Sequence, residues 1–170
     1  MRGFVIFAVG FLATVHGASN KCCPDGWFQF QDSCYYFSEA NNSSRKNFID
    51  AHIECQIMSA DLVKVETAGE DLFIKDLLKR FIGDVVVDFI PGIGGGYYWL
   101  GLTDATEETK WVWTSDGTTP SYTGWAQGEP NSYQGMNEDC AAFDFLAGYA
   151  WADIPCQSPI FYICEKGLHQ

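Results

Sequence analysis

Seven cysteines, all placed after an apolar N-terminal stretch, constrain this chain more than any other feature of its sequence. Residues 1–17 contain the basic residue Arg2, then about a dozen apolar residues, then small residues, which is the three-part pattern of a secretory signal peptide. The apolar stretch is shorter than the ~20 residues that span a bilayer. We therefore expect that residues 1–17 are cleaved off, that the mature protein is secreted, and that it has no membrane span.

The compartment decides how the cysteines are used. Cysteines pair in an oxidising compartment, whereas a zinc finger needs a C-x-x-C pair, which the adjacent Cys22 and Cys23 do not provide. Six of the seven can form intrachain bridges, and spacing alone leaves their connectivity open. An odd cysteine in a secreted chain indicates an intermolecular bridge. We expect Cys22 to link two copies as a disulfide-bonded homodimer, although Cys22 and Cys23 are formally interchangeable.

The charge balance excludes several classes of partner. The chain has 22 acidic and 10 basic residues and a net charge of −12, which becomes −13 when Arg2 is lost with the leader. Nucleic acids and anionic membranes both need a cationic face, so neither is expected as a partner. The hydrophobic content of 47% excludes a disordered acidic chain. A compact acidic domain that attracts cations remains.

Two helices are predicted in the first half of the chain. Residues 22–37 alternate aromatic and polar residues around turn formers, as in a hairpin. A helical stripe over 46–58 follows, and a capping box of Thr67 and Glu70 begins a second helix. We expect the first helix to bury Phe48, Ala51, Ile53, Cys55 and Met58, and the second to bury Leu72, Phe73, Leu77, Leu78 and Phe81.

The second half of the chain has the pattern of short strands. A glycine-rich stretch over 83–96 favours a flexible connection over a phosphate loop, since no helix start follows it. Beyond it, aromatic and β-branched segments alternate with turn residues, in YYWLGL, KWVW, CAAFDF and FYIC. A hairpin, two helices and then strands predict an α+β domain.

A long acidic loop interrupts these strands. Residues 114–139 show no helix or strand pattern, and a structureless stretch of ~20 residues in a small domain indicates a functional loop or a bound stabiliser. Between residues 111 and 165 there is no lysine or arginine. Uncompensated carboxylates repel each other unless they are spread out or bridged by a cation. The acids of this region are Asp116, Glu129, Glu138, Asp139, Asp144, Asp153 and Glu165.

Four residues of this region carry side-chain oxygens that calcium prefers. Glu129 and Asn131 flank Pro130, and Glu138 and Asp153 each lie close to a cysteine. Carboxylate, amide and main-chain carbonyl oxygens are hard ligands suited to calcium. The sequence therefore predicts a calcium site formed by these four side chains and the Asp153 carbonyl.

The motifs occur in a specific order: Cys23-Pro24-x-Gly26-Trp27, Trp99-Leu100-Gly101-Leu102, Glu129-Pro130-Asn131, Glu138-Asp139-Cys140 and Trp151-x-Asp153. With these motifs, residues 23–165 resemble a C-type lectin domain of the long form. The resemblance implies a single domain over 18–170, with two helices packed on antiparallel sheets and a long calcium-binding loop. It also implies the bridges Cys23–Cys34, Cys55–Cys164 and Cys140–Cys156.

The resemblance further implies calcium-dependent sugar binding. A calcium ion on the long loop would leave coordination positions open for two neighbouring sugar hydroxyls, which Glu129, Asn131, Glu138 and Asp153 would also hydrogen-bond. Glu-Pro-Asn resembles the mannose-type motif, which implies mannose, N-acetylglucosamine or fucose, whereas Gln-Pro-Asp would imply galactose. We expect a secreted lectin that recognises glycans, for example microbial surface polysaccharides in innate immunity.

One position departs from the family pattern. The family's usual tripeptide is Trp-Asn-Asp, and position 152 is alanine here. This change removes one ligand oxygen and one amide donor to the sugar. Water can take a calcium position, because calcium accepts oxygens of mixed origin, but the sugar contact has no such substitute.

Further expectations concern neighbouring positions. Asp104, Glu108 and Asp139 fit an auxiliary calcium site, with Ser132 where another carboxylate is expected; a turn capped by Asp104 is the alternative. Tyr133 is a candidate for stacking on a sugar ring. N-glycosylation sequons begin at Asn41 and Asn42, and the tryptophans expected in the core are Trp99, Trp111, Trp113 and Trp151.

Three other functions compete with the lectin function. A calcium-independent protein-binding module would have a sugar site that has decayed at Ala152. An extracellular-matrix or mineral-associated protein would use the acidic charge. An enzyme is not expected, because serine-hydrolase, zinc-protease and P-loop motifs are absent. Glu129 and Glu138 could imitate a glycosidase pair, but nothing in the sequence predicts an apolar pocket to raise one pKa.

Overall fold

The computed structural model describes residues 22–39, 41–83 and 96–168 of the chain. The expected signal peptide and nearly all of the expected connection over 83–96 lie outside these ranges. Within them, no helix has both the length and the apolar character needed to cross a membrane.

The described residues form two helices and a set of short strands, in the order that the sequence patterns predict. The α+β class is confirmed. In chain order the elements are β1 (Phe28–Phe30), β2 (Ser33–Phe37), α1 (Phe48–Ile57), β3 (Asp61–Leu62), α2 (Ala68–Gly83), β4 (Tyr97–Thr103), β5 (Val112–Trp113), β6 (Cys140–Asp144), β7 (Ala150–Ile154) and β8 (Phe161–Gly167).

Side-chain caps begin both helices. Asn47 Oδ1 accepts a hydrogen bond from Asp50 N at 2.8 Å and starts α1. At α2, Thr67 Oγ1 accepts from Glu70 N at 3.2 Å, which is half of the predicted capping box. The Glu70 carboxylate accepts from Glu66 N at 2.8 Å, one residue before the expected partner.

The predicted buried faces of the helices are partly wrong. In α1, Phe48, Ala51 and Cys55 are buried, but Ile53 is 46% exposed. In α2, Leu72 is 62% exposed. The reason is the helical period, because a residue two positions from Ala51 and from Cys55 lies on the far side of the helix. On α2, the buried residues of the apolar face are Ile74 and Leu78.

The strands form one connected sheet in the order β1-β2-β8-β4-β6-β7, with β3 paired to β8 and β5 paired to β4. All of these pairs are antiparallel except β4 with β8, which is parallel at Tyr98↔Phe161 and Trp99↔Tyr162. The sheet is therefore mixed where antiparallel sheets were expected. A parallel pair needs a long crossover, and the chain through β5, β6 and β7 supplies it.

Gly101 in β4 lets β4 and the residues after β3 approach closely. A Cβ atom at this position would lie 2.7 Å from the carbonyl oxygen of Leu62. The close approach allows Gly101 N to donate to Val63 O at 2.9 Å, and Gly101 O accepts from Thr114 N at 2.7 Å. Contact with two segments explains the glycine of the Trp-Leu-Gly-Leu signature.

Three of the four tryptophans expected in the core are buried: Trp99 and Trp151 are 0% exposed and Trp113 is 2% exposed. Trp111 is only partly buried and packs edge-on against Trp125 with ring centroids 4.8 Å apart. Trp111 therefore lies at the rim of the core.

Three disulfides link the elements, and they are the pairs that the resemblance implies: Cys23–Cys34, Cys55–Cys164 and Cys140–Cys156. Cys55–Cys164 ties α1 to β8 across a sequence separation of 109 residues. A loop of this length corresponds to roughly 4–5 kcal/mol in the chain-entropy model. Cys22 is a free, exposed cysteine.

Candidate functional site

The long loop, residues 114–139, is anchored on strand β7. Trp151 N donates to Gly124 O at 2.9 Å, and Trp151 O accepts from Ala126 N at 2.8 Å. Gly124 has no room for a side chain, because a Cβ atom there would lie 2.9 Å from the indole nitrogen of Trp151. The chain then turns at Ala126, whose carbonyl accepts from Glu129 N at 3.1 Å. These bonds bring Glu129 to the part of the sheet that carries Asp153.

A buried aspartate of helix α2 holds Trp151 in place. Trp151 Nε1 donates to Asp71 Oδ1 at 3.0 Å. The other oxygen of Asp71 accepts from Tyr122 Oη at 3.0 Å and pairs with Lys75 Nζ at 2.5 Å. Asp71 is 3% exposed and thereby connects α2, the long loop and β7. No feature of the sequence indicates this contact, because its members are up to 80 residues apart.

Asp153 holds the loop through main-chain bonds. Asn131 N donates to its two oxygens at 2.9 and 3.0 Å, and Ser132 N donates to Oδ2 at 2.7 Å. Asp153 is 4% exposed, so these contacts replace most of its hydration.

We use the name loop cluster for four residues: Glu129, Asn131, Glu138 and Asp153. Asn131 Nδ2 donates to Glu129 Oε2 at 2.6 Å. Glu138 Oε2 accepts from Tyr133 N at 2.6 Å. The Glu129–Pro130 peptide bond is cis. Hydrogen bonds through Asn131 therefore connect Glu129 and Asp153, and Glu138 is held by the same loop through Tyr133 N.

Two carboxylates of the loop cluster have raised pKa values. Burial raises the pKa of Glu129 to about 7, and the nearby Asp153 and Glu138 add to the shift. Burial also raises the pKa of Glu138, against the opposing effect of its bond from Tyr133 N. Among the ion pairs of the described residues, none involves these carboxylates. Such a group gains free energy by binding a cation.

The loop cluster fits a metal ion through the type of its ligand atoms. In the part of the chain that the structure describes, no three side chains of His, Cys, Asp or Glu converge as they would around a metal ion. The carboxylates are held by main-chain N–H groups and by one another. Every candidate ligand atom is a carboxylate or amide oxygen, which suits calcium and not zinc or copper. Glu129, Asn131, Glu138 and Asp153 are the residues that would hold the ion.

A second acidic cleft adjoins the loop cluster. Asp104 is 4% exposed; its Oδ2 accepts from Thr109 N at 2.8 Å, and its Oδ1 has no hydrogen-bond partner. Burial raises its pKa, and the charges of Glu108 and Asp139 add to that effect. The cleft has a volume of about 460 Å³ and is lined by Asp104, Ala105, Glu108, Ser132, Gly135, Met136, Asn137 and Asp139.

Both expectations for Asp104 have a counterpart in this cleft. The three auxiliary-site residues, Asp104, Glu108 and Asp139, line it together, and Asp104 also caps a turn through its bond from Thr109 N. Ser132 donates to Glu108 Oε1 at 3.5 Å. Because Ser132 N also bonds Asp153, this residue connects the cleft to the loop cluster.

The sequence also predicts properties of residues 133, 152 and 41–42. Ala152 is 5% exposed and pairs with Ala142 across β7 and β6, so its side chain adds no oxygen to the site. Tyr133 is 56% exposed in the loop. Asn41 is exposed and caps a short turn, Asn42–Ser44, by accepting from Ser44 N at 3.0 Å. Glycosylation at Asn41 and Asn42 stays a prediction.

The donors missed by sequence reasoning are the main-chain N–H groups of residues 131–133. They supply the bonds that hold Asp153 and Glu138. Main-chain donors have no residue signature, so only the loop conformation reveals them.

Comparison with known proteins identifies the relatives of this chain. A family model described as "Lectin C-type domain" matches residues 44–166. A perlucin-like protein of Mytilus galloprovincialis is 32% identical over 160 residues, which cover 91% of this chain and 92% of the relative.

Solved structures give the same fold. A mouse scavenger receptor C-type lectin carbohydrate-recognition domain has a TM-score of 0.68 at 32% identity and covers 85% of this chain and 96% of its own. A calcium-independent type II antifreeze protein has a TM-score of 0.67 at 25% identity, with 86% and 95% covered. Domains of this type generally bind carbohydrate without catalysis and typically bind calcium, with exceptions such as that antifreeze protein. Family model, relatives and fold agree, and the chain belongs to the C-type lectin domain family.

Proposed function

We propose that the mature chain is a secreted, calcium-dependent carbohydrate-binding protein of the mannose type. The observation that carries the proposal is the loop cluster, in which Asn131 links Glu129 to Asp153, the charge of Glu138 acts on Glu129, and none of these acids forms an ion pair among the described residues. The acidic charge of the chain favours the same conclusion, because a divalent cation relieves the repulsion between its carboxylates.

In this function, Glu129 and Asn131 would each contact both the calcium ion and the sugar. Calcium, when bound, supplies coordination positions for two neighbouring sugar hydroxyls. Glu129 offers a second carboxylate oxygen that can accept from a hydroxyl, and Asn131 offers Nδ2, which can donate to one. A vicinal pair of equatorial hydroxyls, each with one donor and one free lone pair, matches this arrangement, as in mannose, N-acetylglucosamine or fucose.

Affinity for a single sugar is expected to be weak. Each exposed hydroxyl exchanges a water bond for a protein bond at a net gain of about 0.5–1.5 kcal/mol. Ala152 lacks the amide donor of the usual tripeptide, which lowers affinity by about 1 kcal/mol, or about fivefold. A disulfide-linked homodimer through Cys22 would present two sites and recover avidity on a surface with repeated sugars. We propose microbial or self glycans as that surface, in an innate recognition role.

The test is retention of the secreted protein on mannose-agarose in millimolar calcium, with release by a chelator. The double variant Glu129→Gln/Asn131→Asp should lose retention on mannose and gain retention on galactose-agarose, because it converts the motif to the galactose type. The matched control is Glu165→Gln, a carboxylate outside the loop cluster, which should elute like the parent. Retention that survives the chelator, or no retention on any sugar matrix, contradicts the proposal.

Specific observations favour two alternatives on the same fold. Ala152 and the structural likeness to a calcium-independent antifreeze protein support a calcium-independent protein-binding module. The net charge of −12 supports a matrix or mineral-associated protein. Binding to calcium carbonate that survives substitution of Glu129 and Asn131 would favour the second of these, and sugar-independent capture of a protein ligand would favour the first.

A further inference from the structure

Helix α1 is apolar on two opposite sides. One side packs into the core through Phe48 and Cys55. The other side carries isoleucines at spacing i, i+4 and i+8, which aligns them on one face of a helix. This isoleucine stripe consists of Ile49, Ile53 and Ile57, which are 61%, 46% and 74% exposed.

The stripe is unusual for a surface helix. A helix that packs on one side normally carries polar or charged residues on the other. The three isoleucines together expose nearly as much surface as two whole residues of this type, on the order of 300 Å², a size at which apolar patches begin to mark interaction sites. β-branched residues are also weaker helix formers than the usual surface residues, so neither solvation nor helix propensity accounts for them.

The segment that follows the free Cys22 is linked to the Ile57 end of the stripe. Lys166 Nζ donates to the carbonyl of Met58, the residue after Ile57, at 3.2 Å. The same ammonium group lies 4.3 Å from the centroid of the Trp27 ring. A turn closed by the bond from Trp27 N to Pro24 O at 3.0 Å then leads back to Cys22. Trp27, five residues after Cys22, and the residue after Ile57 therefore contact the same ammonium group.

We propose that a second copy of this chain docks on the isoleucine stripe, with a twofold axis close to Ile57 and a Cys22–Cys22 disulfide beside it. A bridge between identical single cysteines is isologous, so it brings the same surface of both copies together. The stripe supplies an apolar surface at that place. The inference adds a docking face to the homodimer proposed above, and it does not depend on sugar or calcium binding.

The area of the stripe indicates how the two contacts cooperate. Two stripes alone bury less than the ~1,200 Å² typical of a stable interface, so docking without the disulfide is weak. Once docked, the two Cys22 thiols are held near each other at a high effective concentration. The stripe should therefore favour the Cys22 disulfide, and the disulfide should favour stripe docking, by the same factor.

The covalent step balances with a small disulfide as oxidant. Two Cys22 thiols, one from each copy, lose two protons and two electrons and form one S–S bond. A low-molecular-weight disulfide such as oxidised glutathione takes them up, and its own S–S bond breaks to give two thiols.

The test measures the equilibrium fraction of covalent dimer for the secreted chain in a glutathione redox buffer, quenched by alkylation and read on non-reducing gels. The double variant Ile53→Gln/Ile57→Gln should lower the equilibrium constant for dimer formation at least about tenfold. Ile49→Gln should have a smaller effect than Ile57→Gln, because it lies farther from the axis. The matched control is Leu72→Gln, a 62% exposed leucine on α2, which should leave the constant unchanged.

A second measurement separates docking from the bond. In sedimentation equilibrium, the Cys22→Ser chain should dimerise weakly, and Ile53→Gln/Ile57→Gln in that background should abolish the association. A Cys22→Ser chain that stays monomeric at every concentration overturns the inference. So do an equal loss of covalent dimer in Leu72→Gln, a Cys22 that is only capped by glutathione, or stripe-dependent binding to phosphatidylcholine vesicles without any change in dimer. A calcium titration of the same samples reports the proposed lectin activity independently.

Discussion

Two groups of carboxylates in this molecule have raised pKa values, and they differ in what surrounds them. The loop cluster lies on the long loop and β7, where Glu129 has a pKa raised to about 7. The second group consists of Glu70 on α2 and Glu165 on β8. Together with Tyr35 of β2, which lies beside both, we call it the inner cluster. Burial raises the pKa of Glu165 to about 7 as well, and it also raises the pKa of Glu70.

The inner cluster is enclosed by donors from rigid elements. Tyr35 Oη donates to Glu70 Oε1 at 2.7 Å and lies 3.5 Å from Glu165 Oε1. Glu165 also accepts from Ser33 Oγ at 2.7 Å and from Lys64 N at 3.0 Å. These bonds connect both acids to strands and to the start of a helix. We therefore assign the inner cluster a structural role.

The loop cluster takes its donors from the loop that it holds. Asn131, Ser132 and Tyr133 provide the main-chain N–H groups, and they belong to the segment between Glu129 and Glu138. Its carboxylates are thus held by a segment outside the sheet. Similar pKa shifts therefore accompany two different roles, and the identity of the donors distinguishes them.

The largest expected effect is the loss of calcium binding in Asp153→Asn. Asparagine keeps the shape but removes the negative charge and leaves one oxygen for the bonds from Asn131 N and Ser132 N. Calcium affinity should fall by more than about 100-fold, beyond what loss of an outer-shell contact costs. Isothermal titration calorimetry measures it. Glu165→Gln is the control, and a similar loss in that variant would erase the distinction between the clusters.

The next largest effect is a gain in stability on substitution of Glu165, in contrast to the loss of binding expected for Asp153→Asn. The pKa of Glu165 is raised from 4.5 to about 7 in the folded chain. The folded protein therefore retains a proton that the unfolded chain has lost, and the free energy of unfolding decreases as pH rises between these values. Glu165→Gln should remove part of this slope and stabilise the protein at pH 8 by roughly 1–3 kcal/mol.

Urea unfolding from pH 4 to pH 8 measures this effect. Glu70 also has a raised pKa, so a shallower slope should remain in the variant. A Glu165→Gln chain that is less stable than the parent at pH 8 would show that the charged carboxylate is needed in the inner cluster.

A smaller gain is expected from Ala152→Asn, which restores the usual tripeptide at the loop cluster. The new amide adds one donor to the sugar and one ligand oxygen, so mannose affinity in calcium should rise about fivefold. Competition of mannose against a mannosylated probe measures it. Ala142→Asn, at the paired position on β6, is the control and should not improve binding. Unchanged affinity in Ala152→Asn would show that position 152 does not limit the site.

The smallest effect is expected from Tyr35→Phe in the inner cluster. It removes the hydroxyl that bonds Glu70 at 2.7 Å and should lower stability by about 1 kcal/mol. Thermal unfolding detects the change. Calcium affinity should not change, because no described contact joins Tyr35 to the loop cluster. A change in calcium affinity would show that the two clusters are coupled.

Much of this architecture could be predicted from local patterns. Asn47 and Thr67 are helix caps by residue type, and both cap the predicted helices. The resemblance carried the three disulfides and the four residues of the loop cluster. The prediction that Ile53 and Leu72 are buried was wrong. The apolar character of a helix residue does not by itself indicate which side of the helix it lies on.

Other features needed the tertiary structure. Asp71 binds the Trp151 indole across 80 residues, and Ser33, Tyr35 and Glu165 meet from opposite ends of the chain. Nothing local to any of these residues specifies its partner. The second apolar side of α1 also needed the tertiary structure, because only the packing of Phe48 and Cys55 into the core shows which side is exposed.

The sequence by itself determined the fold class, the elements and the types of atom at the site, because hydrophobic period, caps, cysteines and hard oxygen ligands are properties of residues and their spacing. Only the tertiary structure decided which carboxylates are enclosed by rigid donors and which are held by a loop. The physical reason is that burial and hydrogen bonding depend on neighbours that are distant in the chain, and these neighbours set the role of each acid.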